Sequence, residues 1–285
     1  MATFQKLIKE FTDSEPGYNL RTHLTKARTL GQVFPEPDKV FAAFNDSVLA
    51  FDEVKMVIVG QDPYPTPGDA NGFAFSSSGT NIPFSLQIIF KEIRNSLYSY
   101  MGDNSFIEGF NSPNLSNWTK QGILLMNRVL TVASGQANSH VSFGWQYFTN
   151  KVIQELNDDN HPKVFMLWGA NAKELIPFIT NKRHLVLESA HPASEAYKPG
   201  QFLGNGHFEK AHWFLFDNDL ISDDLEYDYS GIIPEKEFID YIQTKIIQNK
   251  IPIPTSNIVR FKENILKLYR FKCERVIDYR TIIKN

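Results

Sequence analysis

The chain has 285 residues, of which 42% are hydrophobic and 21% charged, a composition typical of a folded protein and not of a disordered or collagen-like one. Lys and Arg number 29 against 32 Asp and Glu, and the net charge of −3 excludes a protein that coats nucleic acid through overall positive charge. The single cysteine, Cys273, excludes an internal disulfide and a multi-thiolate zinc site, so we expect a reducing compartment: the cytoplasm, or the nucleus in a eukaryote.

No apolar run approaches the roughly 18 residues that a membrane-spanning helix needs. The first residues carry scattered charges, where a secretory signal would carry an apolar core. We therefore expect neither secretion nor a membrane span.

Four short apolar runs predict the central strands. They lie at 55–60, 122–126, 164–168 and 184–187, and each is too short for a buried helix and ends in small or polar residues. Between them, apolar residues recur at helical spacing around 40–44, 86–97, 148–156 and 175–179. Strands that alternate with helices predict a three-layer α/β/α domain with a central four-stranded parallel sheet.

Polar residues follow these predicted strands. Asp62 comes after the first strand, Asn127 after the second and His191 after the fourth. Ligands of such sheets bind beyond the carboxyl ends of the strands. The sequence therefore predicts a site in which a carboxylate, an amide and an imidazole meet.

The composition changes beyond residue 216. Six acidic residues and no basic one occur between Asp217 and Asp228, and basic residues dominate afterwards. Helical spacing in 234–250 and 256–275 predicts two amphipathic helices, separated by Pro252 and Pro254. We therefore divide the chain into a catalytic domain, 1–216, and a mainly helical extension, 217–285, which either docks on the domain or binds a partner.

Several motifs within about 51–216 occur together in the order and at the spacing of one family. They are QDPY at 61–64, GFAFS at 72–76, LLMNRVLT at 124–131, QANSH at 136–140, VFMLWG at 164–169 and HP at 191–192. This part of the chain resembles the classic uracil-excising uracil-DNA glycosylases, of the family 1 type. The resemblance implies an enzyme that flips uracil out of DNA and hydrolyses its N-glycosidic bond, leaving an abasic site for base excision repair.

The resemblance also implies the catalytic groups. Asp62 would position the attacking water and place a negative charge beside the cationic sugar, and His191 would donate a hydrogen bond to the uracil oxygen that gains charge. No lysine stands at a matched catalytic position, so no Schiff-base lyase step is expected. Neither a metal nor a cofactor is implied.

Four further residues would form the uracil pocket by the same resemblance. Asn127 would pair with O4 and N3–H of uracil and mismatch cytosine. Phe75 would stack on the base, and Tyr64 would fill the space of the thymine methyl group. Gln61 would supply backbone contacts. Each has a structural alternative: a turn for Asn127, as for Asp62, and core packing for the two aromatic rings.

Contacts to the DNA backbone depart from the family. Ser85 matches the serine of the proline-rich loop, which contacts a phosphate, although it could equally be the N-cap of the next helix. The family has His where this chain has Pro65, and Ser where it has Ala170. Pro65 and Ala170 remain candidate DNA contacts, although neither has the polar side chain that the family has at that position.

The segment that enters the duplex also departs from the family. A serine and a leucine that wedges into the base stack are usual after the HP motif, and here Ser194 follows, but no leucine does. Glu195 aligns most directly with the leucine but is a poor wedge, since burying a carboxylate is costly. We therefore predict that Tyr197 replaces the leucine.

These departures predict an active enzyme with a weaker grip on duplex DNA and a preference for single strands. An alternative interpretation is a catalytically weak DNA-binding or replication-scaffold subunit. A nucleotide-binding α/β protein is disfavoured because the chain has no phosphate-binding glycine loop. The expected partner is uracil-containing DNA, single- or double-stranded, with a uracil-mimicking inhibitor protein or a replication partner as further candidates and a monomer as the expected state.

Overall fold

A parallel sheet of four strands forms the centre of the computed structural model, which describes residues 2–96 and 112–221. The strands of this sheet are β2 (Met56–Gly60), β3 (Ile123–Asn127), β5 (Val164–Trp168) and β6 (Leu185–Ser189), in the order β3-β2-β5-β6. The two-residue strands β1 (Val33–Phe34) and β4 (Val132–Ala133) form a separate antiparallel pair. The four-stranded parallel sheet predicted from the sequence is confirmed, with strand limits that agree within two residues.

Seven α-helices occur in the described ranges. They are α1 (Phe4–Thr12), α2 (Glu15–Leu30), α3 (Phe84–Ser96), α4 (Ser116–Thr119), α5 (Trp145–Asp158), α6 (Ala170–Lys173) and α7 (His207–Asp217). None of them is long and apolar enough to cross a lipid bilayer.

Both faces of the sheet are covered: β2, β3 and β5 are buried along their whole length, and alternate side chains of a strand point to opposite faces. The edge strand β6 is only partly buried. One face, including Val57 and Phe165, packs in the same core as Phe4 of α1 and Phe148 of α5. On the other face, the ring of Trp168 lies 5.8 Å from that of Phe208 in α7. The three-layer prediction is therefore confirmed.

The two segments expected to be helical around 40–44 and 175–179 form only single 3-10 turns, Ala42–Phe44 and Ile176–Phe178. Each turn ends because the next residue leaves helical backbone angles, Asn45 with ψ 110° and Ile179 with ψ 83°. The sequence analysis also missed α1, α2, α7 and the two short helices α4 and α6. Of the predicted extension 217–285, only 217–221 lie among the described residues, and both of its predicted helices fall outside them.

Candidate active site

A cavity of about 330 Å³ opens at the carboxyl ends of the sheet strands. It brings together most of the residues that the sequence analysis selected. Its lining includes Gln61, Asp62, Tyr64, Pro65, Phe75, Ser85, Asn127, His191 and Tyr197. Ala170 and Ser194 do not belong to the lining.

Strand register places Asn127 at the floor of this cavity. Asn127 ends β3 directly opposite Gly60, the last residue of the neighbouring β2. The chain beyond β3 stays beside the end of β2, because the N–H of Arg128 donates to the carbonyl of Gly60 (2.9 Å) and that of Val129 to Gln61 (3.0 Å). The amide of Asn127 is thereby held on a rigid strand end.

The Asn127 side chain is buried, with 5% of the residue exposed. No group of the described residues hydrogen-bonds its amide, and the side chain belongs to the cavity lining. Its amide atoms are not among the fully enclosed polar atoms of the described residues that have no partner, so they are open to the cavity. The arrangement fits an amide kept free for a ligand that offers both a donor and an acceptor.

Phe75 and Tyr64 form an aromatic wall. Phe75 has a φ of +62°, a left-handed conformation that is rare for a bulky residue and costs about 1–3 kcal/mol. The Tyr64 hydroxyl donates to the Phe75 carbonyl (3.1 Å), and the N–H of Ala74 donates to Leu125 of β3 (3.0 Å). These bonds fix the strained turn, and burial raises the pKa of Tyr64, which keeps the hydroxyl protonated and donating.

Asp62 is half-buried in the loop after β2. Burial raises its pKa, and this effect is opposed by the backbone N–H of Asn138 and by the Gln61 side chain, whose Nε2 donates to Oδ1 at 2.9 Å. The Asn138 N–H donates to the other oxygen, Oδ2. A partly desolvated carboxylate held by both oxygens is an oriented, strengthened base.

Asn138 was missed by the sequence analysis, although it lies within the QANSH motif. Its φ is +64°, which Asn tolerates better than most residues. Its side-chain Oδ1 accepts from Nδ2 of Asn171 in α6 (3.0 Å). This link fixes the peptide that donates to Asp62, and no local sequence signal identifies it because the partners are distant in the chain.

His191 lies across the cavity from these groups, with its ring 5.6 Å from that of Phe75. Burial lowers the pKa of His191 to about 4, so the ring is neutral at neutral pH. Its Nδ1 accepts the N–H of Ala193 (3.1 Å), which places the ring proton on Nε2. His191 is thus a neutral donor, and Gly169 allows it to approach, since a Cβ there would lie 3.1 Å from that of His191.

The candidate DNA contacts differ in their exposure. Pro65 and Ser85 line the cavity, Ala170 is exposed at the start of α6, and Tyr197 is 72% exposed. Ser194 is buried, and its hydroxyl has no partner among the described residues. A DNA contact by Ser194 stays a prediction and requires the turn to move.

Glu195 points away from the cavity. It is buried, and its carboxylate accepts the backbone N–H groups of Gly200 (2.8 Å), Phe202 and Leu203 (3.0 Å). These bonds lower the pKa of Glu195, because they stabilise the charged form against the effect of burial. Unlike Glu195, Tyr197 is exposed, and it is the one large apolar side chain in the exposed stretch 196–200.

No group of three His, Cys, Asp or Glu side chains that could hold a metal ion occurs within 2–96 and 112–221. The chemistry of the cavity is that of an acceptor, Asp62, a neutral donor, His191, and a free amide, Asn127.

Comparisons with known proteins agree with this chemistry. The model of the uracil DNA glycosylase superfamily matches residues 48–215. The uracil-DNA glycosylase of Campylobacter concisus is 42% identical over 214 residues, which cover 75% of this chain and 88% of the relative. Uracil-DNA glycosylase 2 of Listeria innocua is 38% identical over 76% of this chain and 92% of the relative.

Solved structures show the same fold. The crystal structure of mimivirus uracil-DNA glycosylase superposes with a TM-score of 0.63 at 24% identity, over 74% of this chain and 82% of that one. A mimivirus UNG variant in complex with UGI superposes with a TM-score of 0.64 at 24% identity, over 76% of this chain and 84% of that one.

Proposed function

The chain belongs to the uracil DNA glycosylase superfamily, and from that premise we propose how its cavity excises uracil. The protein hydrolyses the N-glycosidic bond of uracil in DNA, as a monofunctional glycosylase of base excision repair. The observation that carries the mechanism is the convergence of Asp62, Asn127 and His191 on one cavity lined by aromatic rings.

Asn127 selects the base. Its unpaired amide offers a donor for O4 of uracil and an acceptor for N3–H, whereas cytosine presents the opposite pattern at these two positions. Discrimination is strong because a mispaired base would leave buried polar groups unsatisfied.

The aromatic wall holds the base and limits its size. Phe75 lies in the lining where it can stack on the extruded ring, and Tyr64 is fixed by its bond to the Phe75 carbonyl. A fixed ring at Tyr64 leaves no room for the methyl group of thymine, the base that uracil must be distinguished from in normal DNA.

His191 stabilises the leaving group. As the bond between C1′ and N1 breaks, its electron pair passes to uracil, and negative charge grows on the uracil oxygen. The Nε2–H of neutral His191 donates to that oxygen without losing its proton, since burial disfavours the charged ring. A donor aimed at developing charge contributes about 3 kcal/mol.

Asp62 acts on the sugar side. Its carboxylate stabilises the cationic sugar and orients a water molecule, whose oxygen bonds to C1′ while the carboxylate takes up the proton. The raised pKa of Asp62 makes it a better proton acceptor than an exposed aspartate.

The DNA strand is bound by fewer polar side chains than the family pattern would supply. We assign a phosphate contact to Ser85 and further contacts with the DNA strand to Pro65 and Ala170, and place Tyr197 where the base has left the stack. The backbone of Gln61 contacts the uracil base instead. Because Pro65 and Ala170 offer no side-chain donor, the grip on duplex DNA is weak and single strands are preferred.

We assign uracil excision to residues 1–216. The superfamily match ends at residue 215, and α7, whose Phe208 packs on the sheet through Trp168, ends at Asp217. A chain truncated after residue 221 is expected to retain excision, and loss of excision in a soluble truncated chain would contradict this division.

A uracil-mimicking inhibitor protein is a proposed partner, which would occupy this cavity and block it. The mimivirus UNG variant of similar fold is in complex with UGI. We also propose that the protein acts as a monomer in the cytoplasm.

The decisive experiment measures uracil release in EDTA from matched single-stranded and duplex oligonucleotides that carry one uracil. Compared with the wild type, the rate of uracil release should be roughly 100- to 10,000-fold lower in Asp62→Asn and roughly 100- to 1,000-fold lower in His191→Leu. Unchanged release in either variant would remove that residue from the mechanism.

A further inference from the structure

One exposed aromatic residue lines the uracil cavity, and a second directly precedes a lining residue. Tyr197, 72% exposed, belongs to the lining, and Phe84, 45% exposed, directly precedes Ser85, which also belongs to it. A single exposed aromatic residue needs no explanation, but two beside one cavity mark a contact surface.

Phe84 stands on a fixed backbone. It is the first residue of α3, and Ser85 and Leu86 after it are buried. The side chain of Gln87 donates to the carbonyl of Ile82 (2.8 Å), which ties the start of the helix to the preceding loop. The exposed ring therefore projects from a rigid helix end.

Hydrogen bonds also hold the backbone at and after Tyr197. Its N–H donates to the carbonyl of Ser194 (3.0 Å), and Glu195 accepts the N–H groups of Gly200 and Leu203 in the segment that follows.

Glu92 of α3 also forms hydrogen bonds with the segment that follows Tyr197. This buried carboxylate accepts the N–H groups of Gly204 (2.6 Å) and Gly206 (2.9 Å), so α3 itself, the helix that presents Phe84, anchors the chain beyond Tyr197. Phe84 thus begins α3, and Tyr197 ends a 3-10 turn, Pro192–Ala196, whose following segment is bonded to α3. Backbone that is held before binding lowers the ordering cost of binding.

The chemistry of this rim suits nucleobases better than phosphates. Every base offers an aromatic face, and stacking on a protein ring strengthens binding by roughly 5- to 150-fold per base. Bases in a duplex already stack on their neighbours, whereas those of a single strand leave their faces free.

We propose that Phe84 and Tyr197 form a stacking rim that binds the nucleobases flanking the extruded uracil in single-stranded DNA. The proposal rests on the proposed function, since it names the substrate class of the same cavity. Base stacking would supply the grip that Pro65 and Ala170 do not supply through the phosphates.

The test uses single-stranded oligonucleotides with one deoxyuridine whose two neighbours are either ordinary nucleotides or abasic tetrahydrofuran residues. For the wild type, kcat/KM should fall about tenfold or more when the neighbouring bases are removed. Phe84→Ala and Tyr197→Ala should be slower on the ordinary strand and less sensitive to the missing bases, whereas Phe84→Trp should behave as the wild type does.

Tyr147→Ala is the matched control, because Tyr147 is 64% exposed but lies in α5 and outside the cavity lining. It should show the full dependence on the neighbouring bases, and equal melting temperatures should show that all variants are folded. Equal rates of the wild type on both oligonucleotides, or full dependence in Phe84→Ala, would overturn the stacking rim. Absence of uracil release from every oligonucleotide would instead overturn the proposed function.

Discussion

Gly60 and Asn127 face each other across β2 and β3, and the Asn127 amide occupies the space that a side chain at Gly60 would need. A Cβ at Gly60 would lie 2.5 Å from Oδ1 of Asn127 and 3.3 Å from Cε2 of Phe75. The missing side chain therefore lets the Asn127 amide and the Phe75 ring share one end of the sheet.

Gly60→Ala should displace Asn127 and lower kcat/KM for uracil release. A displacement near 1 Å costs about 100-fold when geometry is critical. Gly31→Ala is the control, because Gly31 has extended backbone and a Cβ added there would meet no atom within 4 Å, so its activity should be unchanged. Wild-type kinetics in Gly60→Ala would show that Asn127 does not read the base from its observed position.

Tyr64 makes two separable contributions, a ring and a hydroxyl. Tyr64→Phe keeps the ring and loses only the bond to the Phe75 carbonyl, so it should lower stability by about 0.5–1.5 kcal/mol and still refuse thymine. Tyr64→Ala opens space beside the base and should release thymine from DNA. Thymine release by Tyr64→Phe, or none by Tyr64→Ala, measured on otherwise identical oligonucleotides, would assign exclusion to another residue.

The backbone N–H of Asn138 lowers the pKa of Asp62 by donating a hydrogen bond to its carboxylate. Because its N–H stabilises the carboxylate against burial, losing this bond should raise the pKa of Asp62 further. Since the carboxylate is the active form, the acid limb of the pH–rate profile should then move to higher pH. Asn138→Ala is expected to show this shift, because Ala is strained at a φ of +64°, whereas Gly adopts it freely.

Asn138→Gly is the comparison variant: it also loses the bond from Asn171 but adopts the backbone conformation freely, so its acid limb should move less than that of Asn138→Ala. An identical limb in the wild type and in Asn138→Ala would separate Asn138 from the ionisation of Asp62.

Buried histidines should make the protein sensitive to acid. Burial lowers the pKa values of His140, His191, His207 and His212 to about 4, below the ordinary value of 6.5. Between these values the unfolded chain binds more protons than the folded one, so the free energy of unfolding should fall as the pH drops from 6.5 towards 4. Each histidine contributes at most about 1.4 kcal/mol per pH unit.

Urea denaturation at several pH values tests this. His207→Gln should reduce the slope of the free energy of unfolding against pH, because it removes a histidine that is buried and whose Nδ1 accepts the indole N–H of Trp168 (3.0 Å). If the free energy of unfolding does not change between pH 6.5 and 4, these histidine rings are not buried in the neutral form.

The sequence by itself determined the strands and the groups at their ends. Short apolar runs predict strands because a sheet covered on both faces buries every side chain, and parallel strands bring their carboxyl ends to one edge. Asp62, Asn127 and His191 could therefore be assigned to one site from their positions in the chain, and the motifs around them supplied the family.

Only the tertiary structure decided how those groups are tuned. The bond from Asn138 to Asp62, the clash that Gly60 avoids with Asn127 and the inward position of Glu195 join residues that lie far apart or whose direction depends on the turn. Burial, which sets the pKa values of Asp62 and His191, depends on the whole packed domain. Local patterns record residue type and spacing, whereas desolvation and long-range hydrogen bonds arise only when the chain has folded.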